Sequence, residues 1–592
     1  MTGFVATHWN PADTDAGHRA QSLIAAIRAR EMDARAVIDK PGWIALVWND
    51  PHARSASVDG RGAIVGTVFG PNGLNGSDLL ACQPLASAPD FHDACALLSR
   101  RCWGAYVLLW ADDANGSAFV FRDPIGALDG VSWDDDGLRI ITSDAMTCQR
   151  VARYARGGID WRRVRTVLAA PGTMLDVPLL TGRIAIVPGE TVEFRGRSWT
   201  RRTVWNAAAV AAAPSDIPVP ADLIRSTVKA CVRQWSAGLA EIGCEISGGF
   251  DSSVVAATLA PGGRLRAGYH YFIDDGVGDE RPYARAVARH LDVPLVETLM
   301  PMRGLVQGDL DDLPVGNRPA IGAVSLFHDR DLAARARDAG VTALFTGQGG
   351  DALFFQHPAV ELAAECRGVR ELAALSRWTK QSFWATLLRR SGLSGWPDPS
   401  DTAYPFLAHE PHYTIEAPAW AGDTGRLSPA KRRHIEVLHQ SRLAFGVSWT
   451  GAVMDVVHPL LSQPIVETAL ALPVITLTEG FRDRGLARRA FAPDLPTMVT
   501  ERYGKGALTP YFGRRLARSL PFLREFLLDG VLADHHVVER DRLEALLDAD
   551  ALMQHDIYPE LLWLILTEHW ARGWSAILAS GLREGGRVGV VA

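Results

Sequence analysis

Between a short strand-like segment, Cys244–Ile246, and a helix-like run, Val254–Ala260, the chain reads Ser247-Gly248-Gly249-Phe250-Asp251-Ser252-Ser253. No other stretch restricts the fold as much. Adjacent glycines at a strand-to-helix turn let the backbone pass through conformations closed to other residues, and with the helix N-terminus they aim several N–H groups at one anion. Ser247, Ser252 and Ser253 add hydroxyl donors. Such a nest suits a phosphate or pyrophosphate. Asp251 inside it would repel that anion unless a divalent cation lay between them, so the arrangement implies Mg2+. A serine-capped glycine turn is the ordinary alternative, but it has no use for an acid in its middle. No G-x-x-x-x-G-K-[ST] occurs, so this is not a Walker A loop.

The order of elements around this loop is strand, loop, helix, strand. Gly268–Ile273 reads as the next strand, Glu280–His290 as a helix, Leu295–Thr298 as a strand, Leu326–Ala339 as a helix and Val341–Thr346 as a strand. That alternation implies a mostly parallel, doubly wound sheet. Beyond about residue 355 the pattern is mainly helical. Trp563, Trp570 and Trp574 line one face of a C-terminal helix and read as core.

At 592 residues the chain exceeds what a single core serves, so at least two domains are expected. The small-residue and proline-rich stretch 206–220 reads as the linker between them. Before it, Ala105–Trp110, Ala118–Phe121 and Arg139–Thr142 are short apolar runs separated by Asp/Gly-rich turns, so residues 1–205 should be sheet-rich. Residues 221–592 carry the α/β part and its helical continuation. Lys plus Arg number 61 against 67 Asp plus Glu, a net charge of −6 that excludes a bulk-basic nucleic-acid binder. The start of the chain lacks a signal-peptide pattern and no apolar run is long enough for a bilayer, so a cytoplasmic protein with no membrane partner is expected. The seven cysteines include no C-x-x-C pair and read as reduced, mostly buried thiols.

The loop resembles the SGG-x-DS signature of the PP-loop ATP pyrophosphatases. Within them it is most similar to the asparagine synthetase type, because Thr346-Gly347-Gln348-Gly349-Gly350-Asp351 follows at the matching distance. Gly278–Glu297 and Met454–Pro473 also look like segments of that family. Upstream, Cys102–Tyr106, Arg122–Gly126, Ser143-Asp144 and Val187–Gly189 resemble the glutaminase-like (Ntn-type) domain that precedes the synthetase domain. The resemblance implies a ligase using ATP and Mg2+, with Asp251 and Asp351 sharing the metal and Ser247, Gly248, Gly249 and Ser252 holding the departing pyrophosphate. Tyr271, Phe272 and Ile273, at the end of the next strand, and Thr346 and Gly347 are placed to contact the adenosine, since such sheets bind ligands at the carboxyl ends of their strands. Lys505, in Arg502–Gly506, resembles the family's late lysine, a cation for the charge developing at the adenylate.

Three departures bear on the substrate. Glutamine-dependent members use an N-terminal cysteine as nucleophile, and the second residue here is Thr2, so the first domain reads as a degenerate platform, structural or peptide-docking. The family's Glu in G-E-G-S-D-E is Gln348, the following Glu is Ala352, and the Asp of a later motif is Ser462. An amide is no general base, but an α-amine with a pKa near 8 is partly neutral already. β-Lactam synthetases carry a Tyr where Gln348 stands. With a degenerate glutaminase-like domain, the chain resembles the lasso peptide macrolactam synthetases best. That implies a precursor peptide whose Asp or Glu side chain is adenylated and attacked by the peptide's N-terminal amine, with a leader peptidase and a leader-recognition protein as partners. An asparagine synthetase using free ammonia and a β-lactam synthetase-like cyclase are the alternatives.

Overall fold

The computed structural model describes residues 2–49, 56–58, 62–70, 90–112, 116–144, 157–213, 218–274, 278–320, 326–392, 406–408, 418–504, 506, 509–554 and 557–585. The strands are β1 (Gly3–His8), β2 (Arg35–Lys40), β3 (Trp43–Trp48), β4 (Ala56–Val58), β5 (Gly62–Phe69), β6 (Trp103–Asp112), β7 (Ser117–Arg122), β8 (Val131–Asp135), β9 (Leu138–Thr142), β10 (Ile184–Ala185), β11 (Glu190–Arg195) and β12 (Ser198–Thr203). These build two six-stranded sheets of order β10-β8-β9-β1-β3-β2 and β12-β11-β7-β6-β5-β4. Period-two alternation decides how they stack. On β1, Phe4 and Ala6 join Val47, Val107, Val120 and Val192 in a core between the sheets, while Val5 faces the opposite way into a second core. The helix Thr14–Arg30 covers that outer face with Ala16, Ala20 and Leu23, and the helix Phe91–Arg101 covers the outer face of the other sheet with Phe91, Cys95 and Leu98. The N-terminal half is thus four layers, helix, sheet, sheet, helix.

A third sheet follows, made of β13 (Ile242–Glu245), β14 (Leu265–Phe272), β15 (Leu295–Leu299), β16 (Ala343–Phe345) and β17 (Asp455–Val457) in the order β15-β14-β13-β16-β17. All its pairings are parallel. One face carries Ile242, Cys244 and Phe345 against the helices Pro220–Ser236 and Phe250–Leu259. The other carries Ala267, Tyr269 and Leu344 against Leu332 and Ala336 of the helix Leu326–Asp338. Helices on both faces of a parallel sheet are the doubly wound arrangement. Trp570 and Trp574 are buried in the same core as β1, β3 and the helix Thr14–Arg30, and both indoles donate to the Gly316 carbonyl. Among the described residues no helix is long and apolar enough to cross a membrane, and Cys95, Cys102, Cys231, Cys244 and Cys366 are buried.

The first residues of the expected linker 206–220 are ordered as a helix. Ala207–Ala212 is a helix whose cap, Asn206, accepts from Ala209 N, and Ala207 and Ala208 donate to the Trp420 and Ala421 carbonyls. Alanine has the highest helix propensity, and a capped alanine run docked on a neighbour no longer behaves as a tether.

Arg122–Gly126 forms the joint between the halves. The buried Arg122 guanidinium donates to the carbonyls of Leu128 (2.7 Å), Ile186 (2.9 Å) and Gly126 (2.6 Å). Asp123 accepts from the N–H groups of Tyr106, Ile125 and Gly126. From the other half, Trp420 Nε1 donates to Pro124 O at 2.7 Å and Arg442 Nε to Ile125 O at 2.9 Å. Replacing Arg122 by methionine strands three buried carbonyls and removes a cation from Asp129, 3.4 Å away. Arg122→Met is expected to cost about 3–5 kcal/mol of stability, read as a lower urea midpoint. An unchanged midpoint would show that the loop is not held this way.

Candidate functional site

The loop after β13 leaves the middle strand of the parallel sheet at its carboxyl end. Gly248 has φ +80°, and a Cβ there would lie 2.9 Å from the Glu280 carbonyl oxygen, so the position is closed to side chains on two counts. The helix Phe250–Leu259 starts at Gly249 without a side-chain cap, which leaves its first N–H groups for an incoming anion. The serines divide the work differently from the sequence expectation. Ser252 is buried, and its hydroxyl accepts from Ser247 N at 3.2 Å and meets Ser247 Oγ at 3.0 Å. Ser253 is fully buried and donates to Gly249 O at 2.7 Å. Those two hydroxyls brace the turn from inside, and Ser247 is exposed, its Oγ accepting from Gly249 N at 3.2 Å.

The segment Thr346–Asp351 leaves the adjacent strand β16 and interlocks with the first loop. A Cβ on Gly347 would overlap Ser252 N and lie 2.7 Å from Ser252 Cα, and one on Gly350 would lie 2.5 Å from Asp251 Cγ. Glycine is required where the two backbones touch. Thr346 is buried, bonded through Oγ1 to His458 Nδ1 at 2.7 Å and accepting from Gln348 N. Asp351 opens the short helix Gly350–Leu353 and is exposed, as is Gln348.

Asp251 has a partner that the sequence reading missed. Arg484 donates through Nε to Oδ1 at 2.7 Å and through Nη2 to Oδ2 at 2.5 Å, and also to Gln356 Oε1 at 2.6 Å. Burial opposes charge on this guanidinium, yet Asp251, Asp351 and Asp483 hold its pKa above the ordinary value. Asp251 and Asp351 therefore share one field, with a fixed cation in it. Two carboxylates with hard oxygen donors suit Mg2+, which takes one or two protein carboxylates and completes its shell with phosphate oxygens and water. Among the described residues no cluster of His, Cys, Asp and Glu forms a cage from protein alone.

A third segment closes over the glycine turn. Arg502 forms a bidentate pair with the buried Glu280, its Nη2 at 2.6 Å from Oε1 and its Nη1 on Oε2, and its guanidinium lies 3.8 Å over the Tyr283 ring. Gly506 N also donates to Glu280 Oε1, at 2.7 Å. Glu280 thereby ties Arg502–Gly506 to the first loop, whose Gly248 carbonyl lies 3.5 Å from Arg502 Nη1. Lys505 lies outside the described residues. Glu280→Gln weakens a charge-assisted pair of about 1.5–3 kcal/mol. It is expected to slow ATP turnover by roughly ten- to a hundred-fold, with the urea midpoint moved little. Wild-type turnover in the variant would exclude a positioning role.

The expected adenosine contacts fare unequally. Tyr271 and Phe272 are half-buried at the end of β14, but the Tyr271 hydroxyl donates to Asp331 at 2.6 Å and its ring stacks on His328 at 4.4 Å. The Arg281 guanidinium covers Phe272 at 4.2 Å. Ile273 is 1% exposed in a cluster with Met300, Tyr511 and Phe512, so its side chain is core and not a ligand contact. The alternation that turns Tyr271 and Ile273 to one side carries the isoleucine past the rim of the sheet into that cluster.

Behind the loops lies a cavity of about 570 Å3 between the N-terminal sheets and the parallel sheet, reaching from Thr2 and Trp48 to Glu245, Asp329, Thr346 and Gln348. Burial, with the nearby charge of Asp329, pushes the Glu245 carboxyl up to about 7. Asp329 is itself raised by burial although Trp449 N and Thr450 N donate to it.

A family model described as asparagine synthase matches residues 223–572, more than half of the chain. A search of curated proteins finds no match. Among solved structures, a glutamine phosphoribosylpyrophosphate amidotransferase from B. subtilis, complexed with ADP and GMP, is 11% identical with a TM-score of 0.22, over 58% of this chain and 81% of that one. A structure described as the allosteric regulatory enzyme of purine biosynthesis is 11% identical with a TM-score of 0.23, over 64% and 88%. Scores this low add nothing to the geometry above.

Proposed function

The chain belongs to the asparagine synthase family and is an ATP-dependent amide-forming ligase that releases AMP and pyrophosphate; from that premise we propose that it is a macrolactam synthetase acting on a precursor peptide. The observation that carries the reading is the residue at the mouth of the second loop. Gln348, exposed beside Thr346 and on the rim of the cavity, presents an amide where an ammonia-using relative has a carboxylate. An α-amine at the start of a peptide is partly neutral near pH 7 and needs such a group less than ammonium does.

In this reading a side-chain carboxylate of the peptide attacks the α-phosphorus of ATP, the bond to the β-phosphate breaks, and pyrophosphate departs. The N–H groups at the start of the helix Phe250–Leu259 and the Ser247 hydroxyl receive it. Arg484 supplies positive charge at the edge of the nest. Asp251 and Asp351 would hold Mg2+, which when bound neutralises charge on the phosphates. The peptide's amine then attacks the acyl carbon, a C–N bond forms, and the C–O bond to AMP breaks. Arg502 and Gly506 are both bonded to Glu280, and the resemblance gives Lys505, between them in the chain, the role of meeting that charge. The four-layered N-terminal half, with Thr2 on the cavity, fits a glutaminase-like domain that serves as a platform. A leader peptidase and a leader-recognition protein are the expected partners.

The cavity favours a second reading, an asparagine synthetase using free ammonia, because an enclosed space lined by Glu245 and Asp329 suits a small cation. One assay separates the two. The protein is incubated with ATP, Mg2+ and a synthetic core peptide that starts with glycine and has an acidic residue a few positions on. The proposal expects the peptide mass to fall by one water as AMP and pyrophosphate form. AMP formation only with aspartate and ammonium, with the peptide unchanged, overturns it.

A further inference from the structure

We propose that Glu245 is the general base that deprotonates the attacking amine, replacing from the neighbouring strand the function that Gln348 cannot perform. The assignment deepens the amide-forming reading above and rests on it. Its first support is register. β13 and β16 pair in parallel with Cys244 beside Phe345, so the next step along each strand sets Glu245 beside Thr346, two residues before Gln348. Its second support is direction. Ile242 and Cys244 point into the helix-covered core, and alternation turns Gly243 and Glu245 to the opposite face, where Glu245, Thr346 and Gln348 line one cavity. Its third support is the state of the carboxylate. Among the described residues no cation or hydrogen-bond donor pairs with it, whereas Asp123, and Asp329 in the same cavity, accept from backbone N–H groups.

Apart from Asp455, the other charged groups facing this cavity are engaged. From the helix Leu326–Asp338, Asp329 holds Trp449 and Thr450. After β17, His458 is bonded through Nδ1 to Thr346 and through Nε2 to Ala444 O, and burial keeps it neutral, with a pKa of about 4. Arg442 donates to Ile125 O, and Arg318 pairs with Asp129. Asp455 lines the cavity from β17 itself. Glu245 alone combines an unpaired carboxylate with a place beside Thr346, at the start of the loop that carries Gln348. A carboxyl of pKa about 7 is matched to an α-ammonium near 8, which is the condition for an efficient proton acceptor at neutral pH. The ammonium gives one proton to Glu245. The neutral nitrogen then attacks the acyl-adenylate, the C–N bond forms as the C–O bond to AMP breaks, and the nitrogen sheds its second proton to water.

The test separates the half-reactions in Glu245→Gln. ATP–pyrophosphate exchange reads adenylation. Hydroxamate formation with hydroxylamine, a nucleophile that is neutral at the assay pH, reads acyl transfer without a base. Amide formation is followed from pH 6 to 9 with the core peptide and, in parallel, with aspartate plus ammonium. Exchange and hydroxamate formation are expected to stay near wild type, while amide formation falls by about 10²–10³-fold and its rising limb moves to alkaline pH. Adding Gln348→Glu to the variant is expected to restore amide formation, which a merely structural loss would not allow. A pH–rate profile identical to wild type overturns the assignment, as does equal loss of all three activities. The peptide reading fails separately, by wild type using ammonium and never the peptide, and Glu245 is then judged on the ammonium arm.

Discussion

Asp251→Asn is expected to abolish ATP–pyrophosphate exchange, a loss of about 10³-fold or more, and to lower stability at the same time. The two effects have different origins. Asparagine keeps the shape but not the charge, so the metal loses one of two carboxylates, and charge neutralisation at the phosphates is worth several kcal/mol. Arg484, 10% exposed in its side chain, is left as a buried cation without its bidentate partner, at a cost of about 3–5 kcal/mol. A second substitution pulls the effects apart. Adding Arg484→Met removes the stranded cation, so the urea midpoint should recover while exchange stays absent. Exchange surviving in Asp251→Asn would remove this residue from the chemistry. Recovery of exchange in the double variant would mean that Arg484 alone was responsible for the loss.

Gly347→Ala should be nearly as damaging, although it adds only a methyl group. The new Cβ would overlap the backbone nitrogen of Ser252 and stand 2.7 Å from its Cα, and neither is the yielding end of a flexible side chain. The two loops must separate. Overpacking of this kind costs about 1–3 kcal/mol, and a displacement of roughly 1 Å between groups that act together costs about a hundred-fold in rate. A loss of at least that size in pyrophosphate exchange is expected, with a modest drop in the midpoint. Gly262→Ala, where a Cβ meets nothing within 4 Å, is the control and should change neither. Equal effects in both variants, or none in either, would contradict the interlocked geometry.

Several elements were legible from residue order because their causes are local. The strands β6, β7 and β9 stand where apolar runs alternate with Asp/Gly turns, and β13, β14 and β15 come within a few residues of the expected bounds. The helix Arg281–Leu291 and the tryptophan face of Tyr558–Gly585 follow from helical periodicity. The strand expected over Val341–Thr346 shrinks to Ala343–Phe345, because Val341 N still belongs to the end of the preceding helix, bonded to Ala336 O, and Thr346 N bonds Val457 O as the chain turns. The start of the expected linker differs from a tether for a similar reason. Its alanines suit a helix as well as a tether, and only the carbonyls of Trp420 and Ala421, some two hundred positions on, select the helix.

At the site the division is sharper. The amino-acid order by itself determined the glycine turn, its place between strand and helix, and the pairing of an acid in each loop, because backbone freedom and the repulsion between an acid and a phosphate are properties of neighbouring residues. Tertiary structure alone decided which charges those acids meet. Arg484 is 233 positions from Asp251, Arg502 is 222 from Glu280, and Glu245 comes to the end of the strand that leads into Thr346–Asp351 only through strand register. Nothing near Arg484 in the chain sets it apart from the other arginines around it. Electrostatic interaction depends on distance in space and on the water removed from between the charges, and both are created when the sheet brings the ends of its strands together.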